Sequence, residues 1–274
     1  MKKFLAMVLA LVMALSLVAC GNQADPNANN DASNDNSDTP AELTYAVEAG
    51  SAGEAVANEK GWTVNSVASQ ADALMEVSAG TSDAAVIDLL MADAMVGEGT
   101  SYPDLKVNEE KLTTELYGVG CRKGSDLASY INMILSEAYA DGSMVELAKT
   151  YGVSEGALVE QAACEFTAAE SDSDVKYIQD KGKLVVGITE FAPMDFKNDK
   201  DEWVGFDADM AKKVAESMGV EIEFVVIDWD MKINELDSKN IDCVWNGMTL
   251  TDAVQAAMEC TNAYCNNAQV VVTK

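Results

Sequence analysis

The chain has 274 residues, is 49% hydrophobic, and carries a formal charge of −28 with no histidine. So large an acidic excess excludes binding to nucleic acid and lying flat on an anionic membrane. The lack of histidine removes Ser-His and Cys-His nucleophile pairs, and no C-x-x-C occurs among the six cysteines, so neither a metal nor a cofactor is expected.

Residues 1–19 have the layout of a secretory signal. Lys2 and Lys3 open it, an uncharged run follows, and small residues close it. The run is short for a stable membrane span. Leu17-Val18-Ala19-Cys20-Gly21 resembles the bacterial lipobox, in which the cysteine is acylated and becomes the first residue of the mature chain. Cys20 is therefore the expected lipidation site, and two or more acyl chains hold a protein stably on a bilayer. A plain signal peptide followed by a chance cysteine is the alternative. Loss of Lys2 and Lys3 takes the mature charge to −30. Residues 20–41 then read as anchor and disordered tether. They are rich in Asn, Asp, Ala and Ser and cannot offset their ordering entropy by burial. Twenty flexible residues span roughly 25 Å.

The remaining residues alternate strands with helices of about ten residues, the pattern of a parallel-sheet α/β protein. Strands are expected at 43–49, 62–68 and 83–88, with helices at 53–60, 70–79 and 89–97. Two further strand-like runs lie in 105–121. Leu127, Ile131, Ile134, Leu135 and Ala138 recur at helical spacing, so 125–150 is helical, and Asp141-Gly142 divides it. Residues 164–174 are polar and read as a linker. Strands at 183–188, 221–227, 241–245 and 269–273 follow, with helices at 206–219 and 229–238. Five cysteines remain beside Cys20; buried inert thiols suit them, and a Cys260–Cys265 bridge is a lesser possibility.

Several of these stretches are familiar together. KGKLVVGITEFAPMDF (181–196), VGFDADM (204–210), DWD (228–230) and IDCVWNGMTLT (241–251) resemble the opening lobe of the polar amino-acid-binding proteins of ABC importers (family 3). LTYAVEAGSAGE (43–54) and AAVID (84–88) are similar to that family's second lobe, and residues 117–151 to its return crossing and C-terminal helices. The resemblance implies an α/β, two-lobed, periplasmic-binding-protein-like (type II) fold. The order differs from the family's. Residues 42–116 match the second lobe, 117–163 the crossing strand and C-terminal helices packing on the first lobe, and 175–274 the first lobe, joined by the 164–174 linker. That is a circular permutation, with Lys274 and the region of Glu42 expected to lie close together and one crossing strand joining the lobes. Two tandem half-domains are the rival arrangement, in which 125–151 would pack on 43–116.

The resemblance also implies site residues. Phe191 stands at a stacking aromatic position with Glu190 beside it, and Trp229 at a second aromatic. Asn246, Gly247, Met248 and Thr249 form the ligand loop. Ser51 and Ala52 offer amides at a helix N-terminus, suited to an anion, and Asp88 offers a carboxylate to an ammonium group. Each has a plainer role open to it: the aromatics as core, the loop as a strand-ending turn, Asp88 as a helix cap, Glu190 as surface. One departure stands out. Where the family has an arginine that clamps the ligand's carboxylate, this chain has Ala253 or Val254, and no lysine aligns nearby. Arg122 aligns with the crossing strand.

The expected function is that of a monomeric, lipid-anchored binding protein on the extracytoplasmic face of the bacterial cell membrane. It would close on a small-molecule ligand, an amino acid or related amine-bearing solute, and dock on an ABC permease. A sensory or orphan binding lipoprotein, and a Glu190-dependent enzyme on the same fold, are the alternatives.

Overall fold

The computed structural model describes residues 42–274; Cys20, the leader and the tether lie outside the described residues. No helix among the described residues is long and apolar enough to cross a membrane. Residues 41–274 form one compact unit, and its two five-stranded sheets each build a lobe.

The second lobe starts with β1 (Thr44–Glu48), α1 (Ala52–Glu59), β2 (Thr63–Val67), α2 (Gln70–Ala79), β3 (Ala84–Asp88), α3 (Leu89–Met95) and β4 (Lys106–Lys111). β1 pairs in parallel with β2 and β3. β3 is buried throughout, as expected of an apolar strand covered on both faces.

The chain then crosses through β5 (Glu115–Tyr117) to β6 (Gly120–Cys121), and α4 (Leu127–Ala140) and α5 (Ser143–Thr150) follow. The first lobe comprises α6 (Asp174–Lys181), β7 (Lys183–Ile188), the hairpin β8 (Phe196–Lys197) and β9 (Trp203–Val204), α7 (Phe206–Met218), β10 (Glu221–Val226), a 3₁₀ turn at Trp229–Met231, α8 (Lys232–Asp237), β11 (Cys243–Val244), α9 (Asp252–Ala257) and β12 (Glu259–Cys260). Its sheet runs β10-β7-β11-β6-β12. α4 and α5 pack on α7, where the Tyr130 and Ser217 hydroxyls bond at 3.1 Å and Tyr151 donates to Asp209 at 2.5 Å. The tandem half-domain arrangement, which needs these helices on 43–116, does not describe this chain.

The last strands depart from the expected division. β13 (Cys265–Asn267) pairs antiparallel with β5, and β14 (Gln269–Thr273) enters the second-lobe sheet between β3 and β4. Residues 269–273 therefore do not belong to the first lobe. Two crossing strands join the lobes, not one. β14 is a buried apolar strand, and the slot it fills would otherwise leave β3 with an open edge. Its register sets Thr273 opposite Ala84, which on its other side faces Tyr45. The end of β14 and the start of β1 are thus two strand spacings apart, about 10 Å.

Other differences are local. α6 starts at the last residue of the expected linker and fills 175–181, where no element was expected; Ser173 caps it by accepting from the Lys176 amide and Gly182 closes it. The expected helix at 229–238 divides into the 3₁₀ turn and α8. Cys121, Cys164, Cys243, Cys260 and Cys265 are all free thiols, so Cys260 and Cys265 form no bridge. Between the lobes the core is continuous through an aromatic knot. Tyr117 meets Phe191 edge-on, and Tyr264 packs against Tyr117, Phe206 and Trp245.

Candidate functional site

A cavity of about 270 Å³ lies between the lobes, at the C-terminal ends of the parallel strands. Ligands of open α/β sheets bind at such strand ends. The second lobe contributes Glu48, Gly50, Ser51, Ala52, Gln70 and Asp88; the first contributes Trp229, Lys232, Asn246–Thr249 and Val254.

The β1–α1 turn is fixed by its own sequence. Ser51 caps α1 by accepting from the Glu54 amide at 3.0 Å, and Glu54 reaches back to the Gly50 amide at 2.8 Å. This reciprocal arrangement leaves the turn's remaining amides at a positive helix end. Gly50 has φ +71°, and a Cβ there would stand 2.7 Å from the Asp230 Cα of the other lobe. The lobes therefore touch at this point.

Asp88 ends β3 at the start of α3, but its side chain makes no cap bond. It is held by amides instead. Gln70 Nε2 donates to Oδ2, and Asn267 Nδ2 and Gln269 Nε2 (2.9 Å) donate to Oδ1. The same two amides donate to Glu115 Oε2 at 2.9 and 3.0 Å, joined by the Thr249 hydroxyl at 3.2 Å. Burial, then the Glu115 charge, pushes Asp88 up to about 7.

Glu48 is 3% exposed and its Oε1 has no hydrogen-bond partner. Burial pushes it up to about 8, with Thr189 and Lys232 acting against that rise and Asp88 reinforcing it. Lys232 approaches from the other lobe. Its ammonium donates to the Trp229 carbonyl at 2.9 Å and across the cleft to the Gly50 carbonyl at 3.1 Å. It also lies 4.8 Å from the Trp229 ring centroid. Burial lowers its pKa, countered by Glu48, Asp230 and Glu54.

The 246–249 loop is stitched to both crossings. Asn246 Oδ1 accepts from the Thr189 amide, and its Nδ2 is buried without a partner. The Gly247 amide donates to Asp207 at 2.7 Å, as does the Tyr264 hydroxyl. The Met248 carbonyl accepts from Gly118 at 3.0 Å. Gly247 has φ +55°, and a Cβ there would meet Phe191 at 2.4 Å.

Ser51, Ala52, Asp88, Trp229, Asn246, Gly247, Met248 and Thr249 therefore share one cavity. Phe191 and Glu190 do not. Phe191 is 2% exposed and lies behind Gly247 in the aromatic knot. Glu190 is exposed in a separate depression beside Tyr102 and Asp228. Ala253 and Val254 line the cavity where the clamping arginine was sought. No lysine aligns with that position, but Lys232 lines the same cavity from α8. It follows Trp229 by three residues, a spacing that places both on one side of a helical turn. Glu48 was missed too, although a charge ending an apolar strand at the carboxyl edge of an α/β sheet is itself a signal.

A two-lobed α/β protein with a mostly apolar interlobe cavity set with a few charged and polar groups has the form of a small-solute site. Residues 184–274 match the family model described as bacterial extracellular solute-binding proteins, family 3. The arginine-binding extracellular protein ArtP of Bacillus subtilis (strain 168) is 34% identical over 95 residues, covering 34% of this chain and 37% of that protein. The L-cystine-binding protein TcyJ of Escherichia coli (strain K12) is 30% identical over 99 residues, 35% and 37% of the two chains. Among solved structures, an ancestral cationic amino acid solute binding protein is 36% identical over 31% of this chain and 37% of its own, with a TM-score of 0.30. The chain thus matches little more than a third of the length of each of these relatives. The fold is α/β, two-lobed and periplasmic-binding-protein-like.

Proposed function

We propose that this chain is a lipid-anchored, extracytoplasmic solute-binding protein that delivers an amino acid or a related amine-bearing solute to an ABC importer. The observation that carries the proposal is the cavity lined from both lobes, with helix-end amides at Ser51 and Ala52 and carboxyl groups at Glu48 and Asp88 facing the Trp229 wall and the Asn246–Thr249 loop. A ligand touching both walls favours the closed lobes by its preference for that state. The names of the similar proteins, which bind arginine and L-cystine, support an amino-acid class of ligand. Acylation of Cys20, a monomeric state and docking on a permease are parts of the same reading.

The chain order supports a circular permutation. The end of β14 and the start of β1 are neighbours at one end of one sheet, and the helices of 127–150 pack on the lobe that follows them in sequence.

The test is a thermal-shift screen of amino acids, amines and short peptides. A cleft ligand raises the melting temperature by mass action, by about 2.7 kcal/mol of stabilisation at a hundred times its Kd. A flat response to the whole panel would remove the proposal.

A further inference from the structure

The cavity is lined by an acid from one lobe and a base from the other that do not pair with each other. Glu48, on the second lobe, has a carboxyl oxygen with no partner. Lys232, on the first, spends two of its three donors on the carbonyls of Gly50 and Trp229 and has one left. Among the described residues neither is in an ion pair. Asp88, the acid to which the family resemblance assigns the ligand's ammonium, is already held by three side-chain amides. The other wall offers only Ala253 and Val254 where a carboxylate clamp was expected.

We propose that the ligand is a zwitterionic amino acid lying between these two groups, its ammonium on Glu48 and its carboxylate on Lys232, so that one molecule completes a charge chain from lobe to lobe. This rests on the solute-binding reading above and deepens it by naming the ligand class and the residues that select it. Each ligand charge meets a buried group with bonding capacity to spare, an unpartnered Glu48 oxygen and the third Lys232 donor, where pairing removed from water is strong. The carboxylate also lies within reach of the Ser51–Ala52 amides, which line the same cavity. Lys232 keeps its link to Gly50, so the ligand joins an existing interlobe bond.

The groups around each charge set the pH behaviour. Glu48 faces Asp88 on β3 and Lys232 on α8, with Thr189 and Gln70 as polar neighbours. Lys232 faces Glu48, Asp230 and Glu54. Burial keeps Glu48 largely protonated at pH 7. An arriving ammonium favours the carboxylate, so binding releases a proton.

The experiment measures binding by the full chain of matched pairs of probes: L-arginine against agmatine, L-histidine against histamine, and L-cystine against cystamine. Calorimetry is run in two buffers of different ionisation heat. At least one amino acid binds, its decarboxylated partner binds about thirtyfold more weakly or worse, and the buffer difference reports proton release. Lys232→Met abolishes the discrimination and Lys232→Arg retains it. Glu48→Gln weakens the amino acid and removes the proton release. Amines that bind as well as amino acids, or a Lys232→Met protein that binds as the parent does, overturn this inference and leave the solute-binding reading intact. Silence across all six probes and across the broader thermal-shift panel overturns both.

Discussion

Arg122 is the one arginine in the chain, and replacing it by methionine tests how the first lobe is held together. Its Nε and Nη2 donate to Asp174 at 3.1 and 2.9 Å, Nη1 donates to the Ile241 carbonyl at 2.8 Å, and Nη2 lies 3.4 Å from Asp242. The guanidinium ties the crossing that ends in β6 to the start of α6 and to the entry of β11. Asp174 is 8% exposed and Asp242 fully buried. Arg122→Met leaves Asp174 without its cation and Ile241 without its donor, while Lys181 still holds Asp242 at 2.6 Å. Removing one partner of a buried pair costs about 3–5 kcal/mol. For a unit of this size, at about 2–4 °C per kcal/mol, the melting temperature falls by roughly 6–20 °C. Urea unfolding followed by far-ultraviolet circular dichroism measures the loss. Adding Asp174→Leu to Arg122→Met recovers most of it, since a matched apolar pair carries no stranded charge. A single variant within about 1 kcal/mol of the parent, or a double variant worse than the single, would refute the reasoning.

Gly50→Ala puts a methyl group against Asp230 at a position with positive φ; each lobe still folds, the lobes part at this contact, and small-angle scattering shows a larger radius with weakened ligand closure. Gly247→Ala drives the cleft loop into Phe191, costs about 1–3 kcal/mol in strain and overpacking, and lowers both melting temperature and ligand affinity. The raised acids give a pH dependence whose sign is fixed. Glu48 at about 8, Asp88 at about 7 and Asp207 at about 6 hold protons in the folded state that the unfolded chain has released. Stability therefore falls as pH rises from roughly 4.5 to 8, by up to about 1.4 kcal/mol per unit for each group still protonated. Glu48→Gln flattens the part of the curve between pH 7 and 8; a stability that climbs through that window contradicts the assignment.

Regular elements were legible where local pattern decides them. α2, β7 and β14 fall at the expected residues because an apolar run or a helical stripe between turn residues specifies them. The destination of β14 was not legible, since QVVVT suits any buried sheet position and its partners lie about 180 residues away. α6 was hidden because its N-cap Ser173 and first residue Asp174 are the same polar types that mark a linker. Within the cavity, the loop and Asp88 were readable from the resemblance. Lys232 was not, because the positive charge was sought at the family's position on α9 and stands instead on α8, one helical turn past Trp229.

The exchange of strands between the two halves has a bearing on how the chain can be divided. The sheet begun by residues 44–111 is finished by residues 269–273, and the sheet begun at residue 183 receives its fourth strand from residues 120–121. A gene split in the 164–173 stretch would yield two pieces, each missing a strand that the other carries. Synthesised apart, both would expose bare sheet edges; mixed, they should assemble by trading those strands. Assembly of the whole is thus deferred until the late strand arrives.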